Sequence, residues 1–580
     1  MRICSGLAAS PGIAVGHLQV IDRRRLAIDE YPVGRDDVGE QISRLQSAIS
    51  ETRAELESLR EHLTSQSGEE HLFFIDTHLL IISDDRLLTE TISIIENALI
   101  NAEGALHRVL QRYRDLFASI EDDYLRERIN DIEIVVDKIL CNMTGTVDQP
   151  IVYHEGKTII VAHDLTPADI LQMDRSRIIG IATEVGGTTS HASILARAFE
   201  IPAVVGIETI VDKALDGHPA ILDGIGGRLI INPDSETFRD YLRRKQYYTY
   251  TELELLKQVE LPSITPDGHR LSLKGNVEIP EEGASVLRHG GEGVGLYRTE
   301  MLFMGRRDMP SEHEQYQVYR AMQQAIAPHG LTIRTLDAGG DKFLDGTARS
   351  VEQNPALGVR AIRLALGIPQ EFIKQLRAIL RVSAHGPVRI MFPMISGLEE
   401  LRQARSLLQQ AMQELDSEEI PYDRQVPVGI MIEVPSAVQI ADLLAREADF
   451  FSVGTNDLIQ YSLAIDRSSE QLAPMFQPLH PAVLRSLVRV VEAARVAGIP
   501  TSICGEMAGN PLYLPILLGI GFEELSMSAG SIPRVKQVLR RCPYQRAVEV
   551  ARACLSYDTA ADVELFLKRS ITRDIAESCD

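Results

Sequence analysis

The residues from Gly186 to Arg197 read Gly-Gly-Thr-Thr-Ser-His-Ala-Ser-Ile-Leu-Ala-Arg, and His191 is the group among them that can form a bond to phosphorus. Gly186 and Gly187 allow tight backbone approach, and Thr188, Thr189 and Ser190 offer hydroxyls. The pattern from Ala192 to Phe199 predicts a helix, so His191 stands where a helix begins. A helix N-terminus presents free N–H groups and a partial positive charge, which stabilise a bound anion. The same field disfavours an imidazolium, so a histidine there stays neutral and nucleophilic near the ordinary value of about 6.5. A lone histidine on a glycine-rich turn is more often a structural cap. The surrounding glycines and hydroxyls shift the balance to a phosphoryl acceptor.

A second set of reactive types follows a series of β-rich runs in the C-terminal half. The runs are 271–276, 294–298, 332–336, 388–392, 428–432, 450–454, 501–504 and 525–527. At or after their ends stand Asn276, Arg298 with Glu300, Asp337, Pro393 with Met394, Glu433, Asn456 with Asp457, Glu506 and Ser528. Amphipathic helices separate the runs, and this alternation over about 300 residues predicts a (β/α)8 barrel. Barrel enzymes carry their chemistry at the C-terminal ends of the strands, where these polar residues fall. Cys504 closes one run, and spacing alone leaves open whether it is a buried small hydrophobe or an acid at the barrel mouth. Gly290–Gly295 is glycine-rich but precedes a strand, so it is no dinucleotide fingerprint.

The elements that must hold His191 differ. Residues 1–21 read as a strand pair punctuated by glycine and proline. Residues 146–232 alternate short β-rich runs with a helix and glycine-rich turns, an α/β pattern that the N-terminal pair joins. Between them, Val38, Ile42, Leu45, Ile49, Leu56, Leu59 and Leu63 form a helical stripe. Helical periodicity continues to about residue 143, which predicts an inserted helical bundle. Residues 234–259 are polar, tyrosine-rich and helical in propensity, a linker ended by Pro262 and the Pro266-Asp267-Gly268 turn. The fold class is therefore multidomain α/β: a swivelling α/β domain with a helical insertion, then a C-terminal barrel. The expected boundaries are 1–21 plus 146–232, 22–145, 233–265 and 266–575.

Composition narrows the function. The chain of 580 residues carries 82 acidic and 59 basic residues, a net charge of −23. Such a surface repels nucleic acid and anionic lipid and suits a basic protein partner. No run approaches the length of a membrane span, and the N-terminus lacks the order of a signal peptide. Six scattered cysteines without a CxxC pair read as reduced thiols, and the expected location is the cytoplasm.

The His191 motif resembles the phosphohistidine signature of the phosphoenolpyruvate-utilising enzymes, and Ser5–Ala14 is similar to the start of the Enzyme I family among them. Gly295–Glu300, Arg334–Lys342, Asn354–Arg360, Glu433–Pro435, Phe451–Leu458, Arg467 and Cys504–Glu506 resemble the substrate-binding barrel of the same family. The resemblance implies phosphoryl transfer from phosphoenolpyruvate to His191 and on to the phosphocarrier HPr. It implies that Arg298 and Arg334 hold the phosphate and that Asn456 and Arg467 hold the carboxylate end. It places Lys342, Arg360 and Asp457 in the substrate site, makes Glu433 and Asp457 ligands of Mg²⁺, and makes Cys504 the proton donor to enolpyruvate. Converging arginine forks and hard carboxylate oxygens are what such a substrate, with about three negative charges, demands. The resemblance further implies a homodimer through the barrel, and an HPr surface on the helical insertion that includes Glu70, His78, Arg126 and Arg128. A dikinase or synthase would need a nucleotide-binding domain before His191, for which there is no room. A decayed paralogue would lack some of these residues, and none is missing. A nitrogen-branch or otherwise specialised Enzyme I paralogue is the remaining alternative.

Overall fold

A computed structural model describes residues 1–21, 30–67, 78–79, 81–83, 85–118, 123–144, 157–165, 169–170, 173–174, 177–187, 190–211, 215–303, 309–339, 354–466 and 472–577. The chain divides into two compact units, Met1–Glu252 and Leu253–Asp580.

The first unit contains an eight-stranded sheet and a set of helices. The strands are β1 (Arg2–Ser5), β2 (Leu7–Ser10), β3 (Ile13–Ile21), β4 (Thr158–Ala162), β5 (Ile178–Thr183), β6 (Ala203–Val205), β7 (Pro219–Asp223) and β8 (Arg228–Ile231). Their order is β1-β8-β7-β3-β4-β5-β6-β2. The β3–β4–β5–β6 run is parallel, and β1, β7, β8 and β2 pair antiparallel. Residues 1–21 thus form three strands rather than a pair, and β1 and β2 lie at opposite ends of the sheet order. Gly6 separates them because the chain passes too close to its neighbours for a side chain: a Cβ there would sit 2.6 Å from Ile207 Cγ1 and from Val205 O. Leu18, Ile159, Val161, Ala182, Val204, Leu222 and Leu229 fill the core of this sheet.

The helices Val38–Ser67, Asp85–Ala98, Ala102–Ala118 and Asp123–Thr144 make the bundle. Leu45, Ile49 and Leu56 of the predicted stripe are buried there, packed with Ile95, Leu106, Val109, Leu110, Val136 and Ile139. The side chains of Leu59 and Leu63 lie outside the described ones.

The second unit is a closed barrel of eight parallel strands: β9 (Ser272–Val277), β10 (Gly293–Arg298), β11 (Gly330–Arg334), β12 (Val388–Phe392), β13 (Val428–Ile432), β14 (Phe451–Val453), β15 (Thr501–Ile503) and β16 (Glu524–Met527). It closes through β16 against β9. Side chains along the strands divide between two faces, a register shift in β10 setting Val294 and Leu296 on opposite ones, and two hydrophobic clusters record this. Leu273, Val294, Ile333, Ile390, Ile430, Val453, Ile503 and Leu525 pack outward with the helices. Leu296, Met391, Met431, Phe450 and Cys504 form a separate cluster on the other face, inside the barrel.

Most barrel strands lie within a residue of the expected runs, but one ends two residues early. The run 332–336 predicts a strand through Leu336, but β11 ends at Arg334. The N–H groups of Leu336 and Asp337 are taken by side chains, Gln375 Oε1 at 3.1 Å and Glu300 Oε1 at 2.9 Å, which end the ladder. No described helix is long and apolar enough to cross a membrane.

Candidate active site

The His191 motif begins at the end of β5. Gly186 has φ +107°, a conformation that favours glycine, and Ser190 caps the helix His191–Ala198. Ser190 Oγ accepts from the N–H of Ser193 at 3.3 Å, and Ser193 Oγ donates to Gly187 O at 2.7 Å. Glu184 anchors the turn from the other side. One of its oxygens accepts from the N–H groups of Ile210 and Val211 at 2.7 and 2.8 Å, and the other meets His163 Nδ1 at 2.8 Å. Burial alone raises the Glu184 carboxyl, and these contacts more than offset it, holding it below the usual range. The backbone thus puts His191 at the first turn of a helix of eight residues. Its side chain lies outside the described ones, as does the whole of Thr188.

At the C-terminal ends of the barrel strands the structure brings together residues drawn from most of the strand ends. Arg334, at the end of β11, donates to Glu300 Oε1 at 2.8 Å and pairs with Asp337 Oδ2 at 2.9 Å. Arg360 donates to Asp337 Oδ1 at 2.8 Å and to the Tyr461 hydroxyl at 3.3 Å. Arg298 pairs with Glu278 at 2.6 Å. Burial works against the charge of both Arg334 and Arg360, but the facing carboxylates outweigh it and hold both guanidinium groups charged. The Nε of Arg334 and Glu300 Oε2 are buried with no hydrogen-bond partner among the described residues, so the cluster retains polar capacity that its own residues do not use.

Beside the arginines lies an acidic cluster. Ligand oxygens of Asp337, Glu433 and Asp457 all fall within 4.8 Å of one another, and all three residues are buried. Glu433 follows β13, and its Oε1 accepts from the N–H of Met394 at 2.6 Å. Met394 has φ +55°, a strained value for a side-chain-bearing residue, and that strain turns its N–H onto the carboxylate. Burial first, then Asp457 and Asp337, push the Glu433 carboxyl well above the usual range. Asp337 is also pushed up by burial, but Arg334 and Arg360 prevail and hold it below its ordinary value. Three buried carboxylates with one driven toward protonation fit a hard divalent cation, whose charge would let all three ionise together. Asp337 is the member that sequence reasoning missed as a ligand. It stood in the quoted Arg334–Lys342 stretch, but its approach to Glu433 and Asp457 depends on barrel closure.

Asn456 and Asp457 occupy the first turn of the helix Thr455–Leu463 after β14. Asn456 Nδ2 donates to Glu506 Oε1 at 3.2 Å, and its Oδ1 accepts from the Glu506 N–H at 3.3 Å, so Glu506 fixes the amide. Cys504, the residue after β15, is 3% exposed in the inner apolar cluster, and burial pushes its thiol up to about 11. Lys342 and Arg467 lie outside the described residues, as does Glu70. Arg126 and Arg128 fall in the helix Asp123–Thr144 with undescribed side chains, and His78 is buried.

The family model for the phosphoenolpyruvate-utilising enzyme, PEP-binding domain, matches residues 253–544. Those for the N-terminal region and the mobile domain match 5–128 and 154–227. A phosphoenolpyruvate-protein phosphotransferase of Priestia megaterium is 40% identical over 97% of this chain and 98% of its own length. One from Geobacillus stearothermophilus is 39% identical over 98% of each. A solved chain described as an NMR solution structure of Enzyme I covers 42% of this chain and 99% of its own, at 33% identity and a TM-score of 0.35. With full-length relatives at this identity and all three domains in sequence, the chain belongs to the phosphoenolpyruvate-protein phosphotransferase family of phosphoenolpyruvate-utilising enzymes.

Proposed function

We propose that this chain moves the phosphoryl group of phosphoenolpyruvate onto His191 and then onto a histidine of an HPr-type phosphocarrier, releasing pyruvate as the first step of sugar uptake. The observation that carries the reading is the convergence of Arg334, Arg360, Asp337, Glu433, Asp457, Asn456 and Cys504 at one end of the barrel. Arg298 and Arg334 bind the phosphate, with Lys342 and Arg360 adding positive charge. Asn456, oriented by Glu506, and Arg467 bind the carboxylate end.

A neutral imidazole nitrogen of His191 attacks phosphorus in line, and the P–O bond to the enol oxygen breaks. The arginines stabilise the charge that spreads over the transferring oxygens. Enolpyruvate then takes a proton on its methylene carbon from the Cys504 thiol, giving pyruvate, and solvent restores the thiol. Glu433 and Asp457, joined by Asp337, would hold Mg²⁺, which supplies further neutralisation of the phosphoryl oxygens. His191 and the barrel residues belong to different units, so each cycle brings them together and parts them, with residues 233–265 as the joint. Glu70, Arg126 and Arg128 belong to the carrier-docking surface, of which His78, only 4% exposed, forms no exposed part, and the working form is a cytoplasmic homodimer joined through the barrel. The nitrogen-branch alternative has no observation in its favour.

The test is incubation with radiolabelled phosphoenolpyruvate and Mg²⁺, followed by mapping of acid-labile, base-stable label. Label is expected on His191 and is chased off by HPr. Label retained in His191→Ala would overturn the assignment.

A further inference from the structure

Asp337 belongs to two groups at once. Its oxygens are bound by Arg334 at 2.9 Å and Arg360 at 2.8 Å, and it also sits in the carboxylate trio with Glu433 and Asp457. Its side chain is 3% exposed, so water does not share the load. A carboxylate that holds two arginines competes with any phosphate for the same N–H groups. A divalent cation beside it competes with the arginines for the carboxylate. We infer that Asp337 is a positioning residue that couples the two halves of the site, occupying Arg334 and Arg360 until a cation draws its charge away and frees them for the phosphate.

The inference rests on the phosphoenolpyruvate reading given above, and it predicts a sign that simple structural support does not. Glu300 is the control. It also pairs with Arg334, at 2.8 Å, but stands outside the carboxylate trio.

The probe is phosphoglycolate, an unreactive anion with one phosphate and one carboxylate, titrated calorimetrically into the full chain with and without Mg²⁺. In the unaltered protein Mg²⁺ should tighten phosphoglycolate by about tenfold or more, and phosphoglycolate should tighten Mg²⁺ by the same factor. Asp337→Asn should bind phosphoglycolate about threefold tighter without metal, and the Mg²⁺ enhancement should drop below about threefold. Glu300→Gln should keep the enhancement, and Asp337→Glu, which keeps the charge, should restore most of it. Thermal melts identify a variant that does not fold, and if Asp337→Asn is one, Asp337→Ala takes its place against Glu300→Gln with the same expected tightening and the same expected loss of enhancement. Weaker metal-free binding in folded Asp337→Asn, or an enhancement it leaves intact, overturns the coupling alone. Absence of phosphoglycolate binding in the unaltered protein, with and without Mg²⁺, overturns the substrate reading and the coupling with it.

Discussion

Replacing Cys504 with alanine separates its packing role from its proposed acid role. The thiol lies against Leu296, Met391, Met431 and Phe450, 3% exposed. Removing one sulfur from that cluster costs about 1 kcal/mol, a shift of about 1–2 °C in Tm for a domain of this size. Loss of a positioned acid or base costs about 10²–10⁴ in rate, so chemistry and folding should part cleanly. The thiol's value of about 11 leaves a thiolate fraction of about 10⁻⁴ at pH 7. Cys504 is thus a ready proton donor throughout the neutral range and a poor base. In the forward direction enolpyruvate can still ketonise in water, so loading of His191 should fall only modestly in Cys504→Ala. In the reverse direction phosphoprotein and pyruvate give phosphoenolpyruvate only after a methyl proton is removed, and water offers no adequate substitute. Reverse transfer, followed as phosphoenolpyruvate formed from purified phosphoprotein, should drop by about 10²–10⁴. In the unaltered protein the reverse rate should climb with pH between 7 and 10 as the thiolate fraction grows. A reverse rate in folded Cys504→Ala within about threefold of the unaltered protein would refute the acid assignment, since general acid–base catalysis worth so little lies below the expected range.

Three further outcomes follow from particular contacts. A Cβ on Gly454 would lie 2.7 Å from Glu433 Oε2, so Gly454→Ala should weaken Mg²⁺ binding by about tenfold or more in calorimetry while Tm changes little. Lys536, 2% exposed, donates to Val259 O, Leu261 O and Gly290 O at 2.8, 3.2 and 2.9 Å; Lys536→Met keeps the stem but strands three carbonyls, and should cost about 2–4 kcal/mol in urea unfolding of the barrel. Asp267 is bound by Thr265 and accepts from the N–H groups of Tyr544 and Gln545, which lower its value from 3.8 to about 2. A depressed carboxylate stabilises above its unfolded value and loses that contribution as pH falls through the folded one. The Tm gap between the unaltered protein and Asp267→Asn, open at pH 6, should therefore close between about pH 4 and pH 2.

The barrel was legible because each strand is a short β-rich run with a polar residue at its end. Val388–Phe392 and Val428–Ile432 match residue for residue. The error at 332–336 has a local cause that no propensity contains, since Gln375 and Glu300 reach in from distant sequence to end the ladder. The N-terminal strands were undercounted for a similar reason. Gly6 joins two short strands that take the two ends of the strand order, which requires the sheet to curl back on itself, and their pairing partners β8 and β6 lie far along the chain.

Partner choice within the site is the part that spacing does not carry. Arg334 ends a strand and Glu433, Asn456 and Asp457 follow strands, so a barrel reading places them on one rim. Which carboxylate meets which guanidinium depends on closure. Lys274 and Glu524 illustrate this in the barrel interior. Burial pulls the lysine down, and it faces Glu524, whose carboxylate also receives Arg389 at 3.1 Å. In a linear reading Lys274 merely interrupts an apolar run, because its counter-ion lies on the strand that closes the ring. The same logic governs Asp337. Taken alone it is a polar residue beyond a strand, but once β11, β13 and β14 are aligned it stands between two arginines and two other acids. Reactive types were therefore readable one by one, while their coupling, from which catalysis by charge compensation must come, belongs to the closed barrel.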